Sequence, residues 1–561
     1  MRKARQNAAD TLVDVVLAGG DPDKLPAAQC LASCGKHGEH EQNVERDYHR
    51  WQQRMRQADG ITLKPFEIDL ALKHPKKAGE TSIEKVAVLL PHEFLHCIYS
   101  LGPRRFVEAV GSDADIAEFW QHERRQPWAR CHPVDKASLC KAIPGMIHGD
   151  DVMAMTFQKV CVLQWSSALS TATTFKSRFL IAVLPYNRLI PGVTLNMLFQ
   201  VMNWSFTYML LGYFPPLDPA GQQWTCKWRR KMGGSCLAGG YVVALFGHRG
   251  DCDWFAAVFR YNHYRMNDMC HKCGASKSDA ETDCADLSPE AGWRDTVVTH
   301  EQYMATTPAE ERSPLTETPG WRLENNFNDA MHGMHLGTAQ HTAGNVLCEL
   351  ARAHSDPMDL ALEKLWLDFE SWLQRNKLKA SVAQFSKSTL SLDDSIMLFP
   401  LLKIKAACCE KVVLWLAEFT SHDSATYHLR IRHMTVWALA DFFKGMKEHG
   451  RFLDDDAVAR MSRAGTMFLS GYQYLSTEAC RAGVPRWNIV PKFHYFAHTV
   501  DDLHERRINP RVFWCFGDED FVGRVAKIVS RTHRSKLSGR GIERYLSHLH
   551  MMWIGVDLDR G

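Results

Sequence analysis

The hydrophobic positions of this chain change period several times, and the changes divide it. Residues 1–60 are polar with helical spacing. Between residues 91 and 128 large apolar side chains recur every three or four positions: Phe94, Leu95 and Ile98, then Phe106, Val107 and Val110, then Ile116, Phe119 and Trp120. Gly102-Pro103 and Gly111-Ser112 punctuate the run. This spacing predicts helices, so residues 1–135 read as a helical N-terminal region. The period then shortens. Residues 142–148 form a strand-like apolar run that stops at Gly149-Asp150, and residues 160–165 and 179–184 form two more. Residues 194–211 predict a helix, and residues 241–246 a fourth strand that stops near Gly250-Asp251. Three strands, a helix and a fourth strand thus fill residues 136–260.

Residues 193–214 carry no charge, and their length suits the roughly 20 residues that cross a bilayer. Asn196, Gln200, Asn203, Ser205 and Thr207 recur through them, and no basic cluster flanks them closely. The segment therefore reads as a helix buried against a sheet, with no membrane partner. Residues 344–490 are patterned as helices throughout. Leu362, Leu365, Trp366, Phe369, Trp372 and Leu373 make one stripe, and Val412, Val413, Trp415, Leu416 and Phe419 another. An all-helical insertion is expected there. Ahead of it, residues 261–343 hold cysteines and histidines around a Ser-, Thr-, Asp-, Glu- and Pro-rich stretch, 276–322, that reads as a loop. Behind it, residues 491–561 complete the core. There Phe521, Val522, Val525, Ile528 and Val529 line one helix face. Asp518 or Gly517 is its expected N-cap, and Glu519 falls in its first turn.

A chain of 561 residues can build several cores. A hydrophobic share of 45% and a charged share of 23% describe a globular protein. The formal charge of +3 is nearly neutral, so any nucleic-acid surface must be local. Lys527, Arg531, Arg534, Lys536, Arg540 and Arg544 make one basic stripe, which reads equally as a phosphate-binding or a solvated face. The 17 cysteines are scattered, and no apolar signal segment follows the basic start. That pattern favours reduced thiols in the cytosol or nucleus, a few of them serving a metal.

Asp150 follows the first strand, Asp251 the fourth, and Glu519 opens the late helix. A ribonuclease-H-like core has this element order and sets its first and fourth strands side by side. The expected fold class is therefore an α/β ribonuclease-H-like core with a mixed sheet, interrupted by a large all-α insertion and preceded by the helical N-terminal region. Carboxylates brought together repel in a low-dielectric cleft, and divalent cations relieve that repulsion. Spacing alone leaves Asp151, Asp253, Asp518 and Asp520 open as substitutes. Cys270-His271-Lys272-Cys273 has the bite of a zinc ligand pair, and a histidine-rich stretch from Asp329 to His341 follows. A structural zinc on Cys270, Cys273 and His332 is expected, its fourth ligand open. Cys30, Cys34, His37 and His40 are too tightly spaced for a usual finger and read as helix and turn.

Together these motifs resemble DDE-type transposases whose ribonuclease-H-like core is split by a helical insertion, as in the Kyakuja-Dileera-Zisupton, Plavaka and CACTA-like groups. The resemblance rests on Gly149-Asp150, on Gly250-Asp251 followed by Cys270-x-x-Cys273, on Asp329-x-Met331-His332 with Leu336-Gly337, and on Asp518-Glu519. It covers roughly residues 90 to 550. Asp151 departs from it, standing where the family commonly has glycine, and no DNA-binding finger or helix-turn-helix is recognised ahead of the core. The resemblance implies a nuclear enzyme, active or decayed, that cleaves and joins DNA. Asp150, Asp251 and Glu519 would be its catalytic residues and hold two Mg²⁺ or Mn²⁺ ions, with Zn²⁺ in a structural role. Element ends and target DNA would be its partners, and a homo-oligomer remains open. The competing reading is a domesticated, non-catalytic, zinc-stapled scaffold that binds nucleic acid or protein.

Overall fold

Two sheets organise the computed structural model, which describes residues 2–553 apart from 19, 20, 22, 24, 38, 156, 157, 383, 394–398, 531 and 533–536. β1 (Phe66–Lys73) and β2 (Thr81–Val88) form an antiparallel hairpin. β3 (Ala142–Met155), β4 (Gln158–Ser167), β5 (Arg178–Pro185), β6 (Val242–Gly250) and β7 (Asn326–Asn328) form a mixed sheet in the order β5-β4-β3-β6-β7. β3, β4 and β5 are antiparallel neighbours, whereas β6 runs parallel to β3 and β7 parallel to β6. The protein is thus mixed α/β. Every residue of β6 is buried, as an inner parallel strand covered on both faces should be. That is why its sequence runs apolar without alternating.

A parallel pair needs a crossover, and the charge-free helix Thr194–Leu211 lies on the path from β5 to β6. It buries Leu198, Phe199, Met202, Phe206 and Met209. Its polar groups are answered internally: Thr194 Oγ1 donates to the Ala71 carbonyl at 2.6 Å and Asn203 Nδ2 to the Pro314 carbonyl at 2.5 Å. Among the described residues no helix is long and apolar enough to cross a membrane.

The N-terminal region is not all helix. In β1, Ile68, Leu70 and Leu72 are buried while Glu67, Asp69 and Lys73 are exposed. This is the two-residue period of a strand covered on one face, and a search for three- and four-residue spacing passes over it. β7 is a third unforeseen strand after β1 and β2, only three residues long and set in a polar stretch. β3 runs past Asp150 to Met155, because β4 remains its partner after its pairing with β6 ends at His148↔Arg249. Gly149-Asp150 therefore marks the end of one pairing rather than the end of the strand.

The expected helical insertion has a core of its own. Helices Ala339–Ala353, Met358–Arg375, Ala406–Phe419, Tyr427–Glu448 and Asp455–Arg481 pack around Leu362, Phe369, Trp415, Leu439 and Phe468. The next helix, Pro491–Arg506, buries Phe493 and Phe496 in the same core. The insertion thus extends beyond residue 490. Residues 276–322 are largely irregular, yet Trp293 and Leu315 within them are buried.

Candidate active site and metal centre

β3 and β6 end their parallel ladder side by side, and two residues beyond it stand Asp150 and Asp251. Neighbouring strands lie about 4.8 Å apart, so the register itself brings the two carboxylates together. A glycine precedes each aspartate for one shared reason: the Trp254 indole lies across both. A Cβ on Gly149 would fall 2.1 Å from Trp254 Cζ2, and one on Gly250 2.6 Å from its Cδ1. Asp251 also caps the helix Cys252–Phe259, accepting from the Trp254 N–H at 2.6 Å. Asp150 accepts from the Asp151 N–H at 2.6 Å.

Glu519 arrives from the far side of the insertion, in the first turn of the helix Phe516–Val529. Its carboxyl lies within electrostatic reach of Asp150, and its Oε1 is 4.0 Å from His332 Nε2. Burial, then the charge of Asp150, raises Glu519 well above the ordinary range. Burial, together with the Asp251 charge, raises Asp150, and burial raises Asp251. In the cation-free chain burial and the neighbouring charges thus work against ionising Asp150 and Glu519 together.

Of the neighbours that spacing left open, Asp253, Asp518 and Asp520 have other partners. Asp151, the next position along β3, is raised to about 7 by burial and the charge of Asp150. Asp253 takes His263 Nε2 at 2.7 Å, and Asp520 takes Arg524 Nε at 2.9 Å. Asp518 is fully buried in ion pairs with Arg178 and Arg249. Those arginines hold it down at about 2 against its burial.

His332 belongs to the acids, which corrects its assignment to zinc. Its Nδ1 lies 2.5 Å from Asp329 Oδ2, and its Nε2 lies 4.0 Å from Glu519 Oε1. Asp329 also accepts from the N–H groups of Met331, His332 and Cys515. It thereby fixes the histidine ring and ties its segment to the approach to Glu519. Burial works against charging the ring, but the Asp329 bond and the charges of Asp329, Asp251 and Glu519 outweigh it and raise His332.

The zinc-like group assembles elsewhere and with different histidines. Cys270 and Cys273 meet His494 and His498, all four buried. Cys273 Sγ lies 3.3 Å from His494 Nε2 and 3.4 Å from His498 Nε2. Cys270 Sγ lies 3.5 Å from His498 Nε2, and the two Nε2 atoms are 3.1 Å apart. A tetrahedral zinc with ordinary Zn–S and Zn–N bonds has S···N edges of about 3.5 Å and an N···N edge of about 3.3 Å. The cluster fits that ion, and could hold it. Burial opposes ionisation of Cys270, but the Cys273 thiol and the His498 ring hold it well below the usual thiol value. Cys273, a free thiol beside it, is pushed the other way by that neighbour and by burial. Burial lowers His494 and so favours the neutral form that binds metal. Trp293 walls the cluster, its ring 4.3 Å from His494 and 4.8 Å from His498. The sequence signal for this pair is His-x3-His, an i,i+4 spacing on the helix Pro491–Arg506.

Among the described residues, this is the only group of three or more Cys, His, Asp or Glu whose ligand atoms all lie within 4.8 Å of one another. The acid cluster is more open, and the Cys30, Cys34, His37, His40 set forms no such group. Of the expected basic stripe, Arg531, Arg534 and Lys536 lie outside the described residues. Lys527 lies in the last turn of the helix of Glu519, and Arg540 and Arg544 belong to the helix Leu537–Trp553. Compared with known proteins, the chain matches no family model and no curated sequence.

Proposed function

We propose that this chain is a metal-dependent DNA transposase-like enzyme that cleaves and joins phosphodiesters at Asp150, Asp251 and Glu519. The observation that carries the reading is convergence: acids from β3, from β6 and from a helix beyond the insertion come close enough that Asp251 raises Asp150 and Asp150 raises Glu519. The strand order β5-β4-β3-β6-β7 supports a ribonuclease-H-like core, which has three antiparallel strands followed by parallel ones. Three carboxylates offer the hard oxygens that Mg²⁺ and Mn²⁺ prefer, and their mutual repulsion favours a cation.

When bound, two such ions would activate the attacking water or 3′-hydroxyl and neutralise charge on the leaving oxygen. The chain's own groups prepare the site. The Trp254 and Asp151 N–H groups orient Asp251 and Asp150. Glu519 rides on a helix N-terminus, whose partial positive charge favours an ionised carboxylate. His332, steadied by Asp329, presents Nε2 toward the cluster as a donor for a phosphate oxygen or a proton source for a leaving group. In this reading the Cys270, Cys273, His494, His498 set takes Zn²⁺ as a structural ion, since four protein ligands leave no open position. DNA partners, a nuclear location and self-association belong to the same proposal.

Nicking of supercoiled plasmid DNA in Mn²⁺ tests it. The wild-type chain should cut, and Asp150→Asn and Glu519→Gln should lower the rate at least about 100-fold. DNA binding with no cation-dependent cutting would favour the scaffold reading instead.

A further inference from the structure

A row of buried polar side chains crosses the sheet one step below the acids. His148 pairs in register with Arg249 on one side and with Gln164 on the other. Strand side chains alternate, so His148 shares a face with Asp150, and Arg249 with Asp251. All three members of the row are buried, Gln164 completely. Asp518 meets this row from the helix that carries Glu519. Its Oδ1 accepts from Gln164 Nε2 at 3.1 Å, from Arg249 Nη2 at 3.0 Å and from Arg178 Nε at 3.4 Å. Its Oδ2 lies 3.0 Å from Arg249 Nε as a charge contact, so the guanidinium meets the carboxylate through one hydrogen bond and one ion-pair contact. Arg249 Nη2 donates as well to Ser166 Oγ at 2.9 Å. Gly517 leaves room for the arrangement, because a Cβ there would fall 2.4 Å from Arg178 Nη2.

An ion pair this deep gains little over apolar packing of the same shape, because both charges lose their water. What it does supply is a fixed geometry. Arg249 is two residues from Asp251, and Asp518 is adjacent to Glu519. The guanidinium that grips the helix is therefore anchored in the strand that carries the second acid. We propose that Asp518 and Arg249 are positioning residues: with Arg178 they set where Glu519 stands against Asp150 and Asp251, without contacting the cations. A lysine in place of Arg249 keeps the charge and loses the planar guanidinium that bonds Asp518 and Ser166 at once, and a small shift of Glu519 is enough to spoil a cation site.

This inference rests on the cation-binding reading of the three acids, and the experiment separates the two. Free Mn²⁺ is followed by electron paramagnetic resonance in wild-type, Arg249→Lys and Arg178→Lys chains, alongside their melting temperatures. Arg178 reaches the surface, so its variant keeps the test open should Arg249→Lys fail to fold. The inference expects Mn²⁺ affinity to fall about tenfold or more in Arg249→Lys and about threefold in Arg178→Lys, in folded protein. Wild-type affinity in either folded variant would overturn it. If the wild-type chain itself binds no Mn²⁺, the cation reading fails, and positioning is then read from crystal structures of the wild-type and variant chains. A Glu519 carboxyl moved off Asp150 would support the inference, and one left in place would overturn it.

Discussion

Asp150, Glu519 and His332 all titrate higher in the folded chain than they would unfolded. Between the two values the folded state binds more protons than the unfolded state, so stability falls as pH rises through the folded values. The effect should stand clear between about pH 7 and about pH 9, above the range where buried histidines with lowered values contribute. The protein free of Mg²⁺ and Mn²⁺ should melt at progressively lower temperature across that window. Mn²⁺ should restore the melting point, and Glu519→Gln should flatten the slope; scanning fluorimetry reads all three. Gly149 makes a second case. A methyl group there meets the Trp254 indole at 2.1 Å, so Gly149→Ala should cost about 1–3 kcal/mol in urea unfolding and weaken Mn²⁺ binding as well. The two Gly-Asp steps were legible in the sequence because their cause is local, a bulky ring lying against the backbone just ahead of each acid. The choice between Asp518 and Glu519 was not. Adjacent helix positions differ only in which side they face, and arginines from two other strands, Arg249 and Arg178, draw Asp518 inward.

Strands and helices differ in how much of their role the chain discloses. The fully buried run of β6 and the apolar stripe of Phe516–Val529 were plain, since each buries a continuous face of its own sequence. β7 was hidden because three residues in a polar stretch have no period. The zinc ligands lay between these cases. Cys270 and Cys273 announce themselves by spacing, but among 27 histidines the partners are fixed only by where the helix Pro491–Arg506 lands. His332 was the wrong choice for a physical reason, since its helical turn is tied by Asp329 to the approach to Glu519 rather than to the cysteines. Cobalt substitution distinguishes the assignments. His494→Ala and His498→Ala should lose the thiolate-to-cobalt absorption and weaken Co²⁺ binding by about 100-fold or more, whereas His332→Ala should leave the spectrum unchanged.

The helical insertion separates Asp251 from Glu519 along the chain, yet the site needs both within a few ångströms. The Cys270, Cys273, His494, His498 cluster closes that excursion, since its cysteines lie shortly after Asp251 and its histidines shortly before Glu519. A staple at the neck of so long a loop removes much of the freedom that would let Glu519 drift. On the zinc reading of this cluster, a chelator should accelerate proteolysis within residues 274–493 and lower Mn²⁺ affinity together. The central claim is that three acids from remote parts of the chain form one cation site. Calorimetric titration of Mn²⁺ into the full chain and into Asp150→Ala, Asp251→Ala and Glu519→Ala tests it most directly. The account predicts saturable binding in the wild-type chain and a loss of at least about tenfold in each variant. Binding that is absent from the wild-type chain, or unchanged when Glu519 is removed, would contradict it.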